Sequence, residues 1–146
     1  MRVIPRPSPN HSDRNGVPVD TIVIHSTAGG LDGALSWLCN PVSKVSAHYV
    51  IARSGDIYKL VPLSRAAWHA GRCPNFPNAN SRSIGIELEQ LPDQTPTQAQ
   101  LDLLKRLIGQ LLRHFSIRYI VGHREINPRK RDPFHLDMNR FRQELS

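Results

Sequence analysis

The chain is short of several things, and each shortage removes a class of protein. It has two cysteines in 146 residues. Cys39 and Cys73 stand far apart in unlike contexts, so they form neither a zinc knuckle nor a redox pair. A chain of this length buries roughly two thirds of its unfolded surface in one core and needs no disulfide staple, so both are expected to be free thiols. No apolar run approaches the roughly 20 residues of a membrane span, and Met1 to Asn10, MRVIPRPSPN, lacks the apolar core of a signal peptide. The expectation is a monomer with no membrane span, cytoplasmic as synthesised. Acidic residues are scarce too: 12 Asp and Glu face 19 Lys and Arg, for a net charge of +7 and a pI near 10.1. That balance favours a polyanionic partner. The chain nevertheless has no Lys/Arg-rich recognition helix, no aromatic stacking motif and no zinc-finger spacing, so nucleic acid is not the expected partner. Repeats, linkers and low-complexity tracts are missing as well, which leaves one domain over 1–146.

What is present reads as an α/β fold. Residues 1–18, rich in Pro, Asn and Ser, predict an irregular arm, and residues 19–145 the core. Val19 to His25 is a β-branched run without polar alternation, as in a strand buried on both faces. Leu31 to Cys39 has leucines at helical spacing and is stopped by Asn40-Pro41. Ala47 to Ala52 and Ile57 to Val61 flank Ser54-Gly55-Asp56, the turn chemistry of an antiparallel hairpin. From Pro62 to Ser83 neither period appears, which predicts a long ordered loop; such loops are usually functional. Ser83 to Leu88, SIGIEL, is another buried strand, with Gly85 allowing a close neighbour. Thr95 as N-cap and Pro96 at the first position open a helix that carries Leu101, Leu104, Ile108, Leu111 and Leu112 on one face and ends near Phe115. Ile117 to Val121 is the next strand, and Asp137 to Leu145 a final short helix.

Chemistry concentrates at strand ends. TIVIH ends an apolar run in His25, and VGHREINPRKRDP places His123 at the end of another, with Asp132 nine positions on. Two imidazoles and one carboxylate are the protein's share of a catalytic zinc site whose fourth position is open to water. His135 is the replacement ligand should Asp132 not serve. Glu87 is the anomaly of its apolar strand: burial there would raise its pKa toward the range of a working general base. Lys130 lies in the basic run Arg129-Lys130-Arg131, which by itself reads as a solvated patch.

TIVIHSTAG, SAHYVIARSGDIYKLVP, AAWHAG, NSRSIGIELE and GHREINPRKRDP, in that order, resemble the type-2 N-acetylmuramoyl-L-alanine amidases, a family that includes phage endolysins, cell-wall and recycling amidases, and peptidoglycan recognition proteins. The resemblance implies a mixed β-sheet with helices packed against it and a zinc at one end of the sheet. It implies His25, His123 and Asp132 as the Zn2+ ligands, the third being cysteine in some members. It further implies Lys130 as the oxyanion-stabilising cation, Glu87 as the general base, and His69 as lining the substrate groove with Trp68 beside it. The tyrosine used by the phage-lysozyme branch falls at Ala47 here, which favours the glutamate version of the mechanism. His48 and Trp37 read as packing residues.

The expected reaction is hydrolysis of the amide between N-acetylmuramic acid and L-alanine, with peptidoglycan or a muropeptide as substrate. Small size and strong basicity favour a phage endolysin. The alternatives are a recycling amidase acting on anhydromuramyl peptides, toward which the Glu87 and Lys130 pattern leans, and a non-catalytic recognition domain, which would keep the groove and lose a ligand.

Overall fold

The apolar β-branched runs become the middle of a sheet, and the periodic leucines become the helix laid on it. In this computed structural model, which describes residues 1–145, the elements in chain order are β1 (Val3–Pro5), β2 (His11–Ser12), β3 (Thr21–Ser26), α1 (Leu31–Leu38), β4 (Tyr49–Ile51), β5 (Ile57–Lys59), β6 (Ala66–Ala67), β7 (Ser83–Leu88), α2 (Gln98–His114), β8 (Tyr119–Gly122), α3 (His123–Ile126) and α4 (Met138–Gln143). Six strands form one mixed sheet in the order β1-β5-β4-β7-β3-β8, and β2 pairs with β6 in a small second sheet. The expected α/β fold with a mixed sheet is therefore present.

β3 and β7 lie centrally and every one of their residues is buried, matching their unbroken apolar pattern. β8, β3, β7 and β4 run parallel to one another. Their carboxyl ends consequently share one edge, the usual ligand-binding edge of such sheets. The hairpin β4–β5 is antiparallel, and Gly55 takes the positive φ of 98° that its turn requires.

Side chains alternate along each strand, so the sheet has two unlike faces. Ile22 and Ile24 of β3 and Ile84, Ile86 and Leu88 of β7 pack with Leu104, Leu107, Ile108 and Leu111 of α2 and with Met138 and Phe141 of α4. The opposite face is covered by smaller groups: Val50 meets Leu35 and Leu38 of α1, and Val23 meets Ala70, Cys73, Ala79 and Ile126. Gly85 lies on this face, where a Cβ would come within 2.4 Å of the His69 ring. Glycine is the residue that lets His69 rest on the sheet.

Several expectations shift. The arm over 1–18 is not wholly irregular: β1 pairs in parallel with β5 and β2 with β6, because short strands satisfy the backbone of a segment laid along a sheet edge. Arg14 anchors the arm inward, donating to the carbonyls of Leu63, Ser81 and Ser83 at 3.0, 2.8 and 3.0 Å. Burial lowers its pKa to about 10. The long loop contains the two-residue β6. Helix α2 is capped by Thr97, two residues later than Thr95, since Thr97 and Gln100 form a reciprocal capping box at 3.0 Å each way. Asp137 caps α4, accepting from the Arg140 backbone N–H at 3.1 Å. Leu112 is exposed, while Leu107 takes the buried place. Cys39 and Cys73 are free thiols, and among the described residues no helix is long and apolar enough to cross a membrane.

Candidate metal centre

Three parallel strands deliver one residue each to the shared edge. His25 is the penultimate residue of β3, and Glu87, in register beside it, the penultimate residue of β7. His123 follows β8 directly and opens the single turn α3. Asp132 arrives on the following loop, which is pinned from both sides. Arg124 donates to the carbonyls of Pro133 and Leu136, and the Phe134 N–H donates to Ser26 Oγ at 2.9 Å. Gln90 then donates to the Phe134 carbonyl at 3.1 Å and accepts from Ser26 Oγ at 2.5 Å.

The result is a tight trio. His25 Nδ1 lies 3.1 Å from His123 Nδ1 and 3.1 Å from Asp132 Oδ2, and His123 Nδ1 lies 3.3 Å from the same oxygen. His25, His123 and Asp132 form a group of ligand-type side chains close enough to share one ion. The far nitrogens decide the state of the near ones. His123 Nε2 is 3.1 Å from the Ala70 carbonyl; a carbonyl only accepts, so the proton is on Nε2 and Nδ1 presents a lone pair. His25 Nε2 is 2.8 Å from His69 Nδ1, His69 Nε2 is 2.9 Å from Ser83 Oγ, and Ser83 Oγ donates to the Ala79 carbonyl. Read back from that carbonyl, Ser83 accepts from His69, and His69 accepts from His25. His25 Nδ1 therefore also presents a lone pair.

Three lone pairs at such separations repel unless a cation lies among them. Burial favours the same state at His25, lowering its pKa. Neutral imidazoles and an ionised carboxylate are the forms that bind metal. Two nitrogens and one oxygen suit zinc, whereas calcium and magnesium favour all-oxygen sets. These residues fit the group.

Glu87 is 9% exposed, and its pKa is raised well above 4.5, by burial first and by Asp132 second. Among the described residues no cation pairs with it. Lys130 is exposed and lines a cavity of about 290 Å³ together with His25, Glu87, His123 and Asp132. His69 borders that cavity, yet both of its ring nitrogens are engaged by His25 and Ser83, which puts it behind a ligand as well as beside the groove. Trp68 lines the same cavity, with its indole N–H donating to Ser12 Oγ at 3.1 Å. His48 is a core histidine: its Nδ1 accepts from the Gly85 N–H at 3.0 Å, its Nε2 faces the Arg65 carbonyl at 2.9 Å, and burial lowers its pKa to about 3. His135 points elsewhere, to the Pro92 carbonyl at 2.9 Å. Ser83, Ser26, Gln90 and Arg124 were not apparent as site residues in the sequence. For Ser83 the signal was there, since 83, 85 and 87 share one face of a strand; carbonyl partners such as Ala70 and Ala79 carry none.

A family model described as N-acetylmuramoyl-L-alanine amidase matches residues 15–135. The chain belongs to that family. It is 38% identical over 111 residues to the 1,6-anhydro-N-acetylmuramyl-L-alanine amidase AmpD of Citrobacter freundii, an alignment covering 68% of this chain and 56% of that protein. The chain thus spans little more than half the length of that curated relative. An AmpD crystal structure superposes with a TM-score of 0.84 at 29% identity, covering 100% of this chain and 94% of that one. The amidase AmiD of Escherichia coli, in complex with anhydro-N-acetylmuramic acid-L-Ala-D-γ-Glu-L-Lys, superposes with a TM-score of 0.77 at 26% identity, covering 92% of this chain and 65% of that one.

Proposed function

We propose that this chain is a zinc-dependent N-acetylmuramoyl-L-alanine amidase that hydrolyses the bond between the lactyl group of N-acetylmuramic acid and L-alanine. The observation that carries the reading is the convergence of three lone pairs, from His25, His123 and Asp132, beside a buried carboxylate, Glu87, that has no cation partner among the described residues. An amide is a poor electrophile and water a poor nucleophile at neutral pH. Bound zinc would supply Lewis acidity toward the carbonyl and lower the pKa of a water from 15.7 to about 7.

The chain's own residues do the rest. Glu87, its pKa raised by burial, takes a proton from the attacking water and returns it to the leaving nitrogen. Lys130, on the rim of the same cavity, stabilises the charge that builds on the carbonyl oxygen. His69 holds the His25 ring in the tautomer and orientation that point Nδ1 inward. A recognition domain without chemistry would lack part of this set, and all of it converges here.

The relatives favour one substrate class. AmpD is named for anhydromuramyl substrates and AmiD is seen with an anhydromuramyl peptide, which supports a recycling-type amidase acting on soluble anhydromuramyl peptides better than the endolysin expected from size and charge. Digestion of both substrates side by side tests this. Soluble anhydromuramyl peptides should release new L-alanine amino termini faster than intact sacculi do, with no new reducing sugars. New reducing ends would make the protein a glycosidase and overturn the reading. Faster attack on sacculi would restore the endolysin role. Metal analysis of replete protein should find one zinc per chain; well under half an equivalent would remove the metal from the proposal.

A further inference from the structure

Two cavities meet at the metal centre, and their linings differ in kind. The smaller is walled on its α1 side by Trp37, with Ala34 and Val45 near it. Trp37 is 55% exposed, an unusual place for the largest apolar side chain in a helix whose Leu35 and Leu38 face the core. The larger, about 1460 Å³, is bordered by Lys44, Arg72, Arg129 and Lys130, with no acidic residue along it. Among the described residues none of these four cations has an ion-pair partner, so their charge is not offset by a neighbouring carboxylate. Val45, Trp68, His69, His123 and Lys130 border both cavities, so one continuous cleft crosses the metal centre.

A cleft lined by one sign of charge concentrates the opposite sign within it. An exposed indole offers a flat face on which the C–H side of a pyranose packs. The bond assigned to this site under the proposed function joins two such unlike arms: a sugar on the acyl side and, on the amine side, a peptide whose γ-linked glutamate keeps a free α-carboxylate.

Resting on that reading, we infer that the cleft is polarised and fixes the direction in which substrate lies: the muramyl sugar against Trp37, and the stem peptide in the basic cavity with its carboxylates facing Arg72 and Arg129. These two arginines are specificity residues for a free peptide carboxylate, and Trp37 is one for the sugar ring. Nothing in the proposed chemistry at Glu87 and Lys130 requires them.

Paired substrates test this: muramyl-L-Ala-D-Glu against its α-carboxamide (the D-isoglutamine form), and a muramyl peptide against the matching peptide whose L-Ala nitrogen carries an acyclic lactyl group without the sugar. Parent enzyme should prefer the free carboxylate in kcat/KM, by about fivefold for each arginine engaged, and the preference should shrink as salt is raised. Arg72→Gln/Arg129→Gln should bring the carboxylate ratio toward one while keeping the sugar ratio. Trp37→Ala should do the converse, cutting the sugar preference by about tenfold at most. All three positions are solvent-exposed, and a melting temperature close to the parent's would verify folding. Unchanged ratios in the variants overturn the inference, as does the reversed pattern, with Trp37→Ala erasing carboxylate preference. A parent enzyme that cleaves both members of a pair equally also overturns it while leaving the amidase reading intact. Failure to expose a new L-alanine amino terminus in any of these substrates sinks the amidase reading itself.

Discussion

The two faces of strands β3 and β7 are built from alternate residues of the same two segments and do opposite things. Ile22, Ile24, Ile84, Ile86 and Leu88 point one way, into an apolar layer under α2 and α4. Thr21, Val23 and His25, with Ser83, Gly85 and Glu87, take the other positions, where the layer above is small-residue loop and a short helix. The first face gains stability from apolar area removed from water, about 25 cal/mol per Å². The second buries four histidines and a glutamate, each of which costs free energy unless its hydrogen bonds are completed. For the histidines they are completed by neighbouring side chains and by carbonyls of the 62–82 loop. One face therefore holds the rigid sheet on which the other can keep polar groups in unfavourable company.

Substitutions that touch only one face break this comparison most directly. Asp132→Ala should have the largest effect, abolishing tight zinc binding and bringing turnover to background, while Asp132→Cys should retain metal because zinc accepts thiolate sulfur as readily as carboxylate oxygen. Metal titration of the two variants checks both; an alanine variant that binds like the parent would remove Asp132 from the ligand set. Next in size, Ile86→Ala on the apolar face should cost about 2–5 kcal/mol in denaturant unfolding and leave zinc affinity near the parent value. A comparable loss of metal would mean that the faces are not separable.

Glu87→Ala and Lys130→Ala sharpen the comparison from the other side. Each should keep zinc and lose on the order of 10²-fold in kcat, about 2.7 kcal/mol. Near-parent turnover in either would return that residue to a structural role.

The effect that vanishes at neutral pH concerns acid. The folded pKa of His48 is depressed to about 3 from 6.5 by burial, so the unfolded chain binds the extra proton first. Stability is full above pH 6.5 and falls as pH drops from there toward 3, by up to about 1.4 kcal/mol per pH unit for one proton. His48→Asn, whose amide oxygen can still accept from the Gly85 N–H, should flatten the dependence in metal-free protein by about that slope. An unchanged slope would show that His48 is already protonated when folded.

Much of this was legible in the chain. Uninterrupted β-branched runs marked β3 and β7, and leucine spacing marked α2, because period and burial are properties of local sequence. Histidines ending two such runs and an aspartate nine residues past the second suggested the ligand trio, since chain connectivity alone places strand ends at a sheet edge. Boundaries at caps were less legible: Thr95 and Thr97 are equally good N-caps by type, and the reciprocal bond to Gln100 chose between them. The arm over 1–18 carries no strand signal because its short strands have no period of their own and exist only through β5 and β6.

What tertiary structure alone decided was the company each polar group keeps. His69 is 44 residues from His25 in sequence and 2.8 Å from it in space. The protons that point both Nδ1 atoms inward are set by carbonyls of Ala70 and Ala79, and a carbonyl has no letter in the sequence. Trp37 sits in sequence beside the core residues Leu35 and Leu38, and only the position of α1 beside the cleft leaves it exposed. Residue type and spacing determine which groups a chain can offer and which element carries them; distance, burial and tautomer depend on elements that meet only when the sheet has closed.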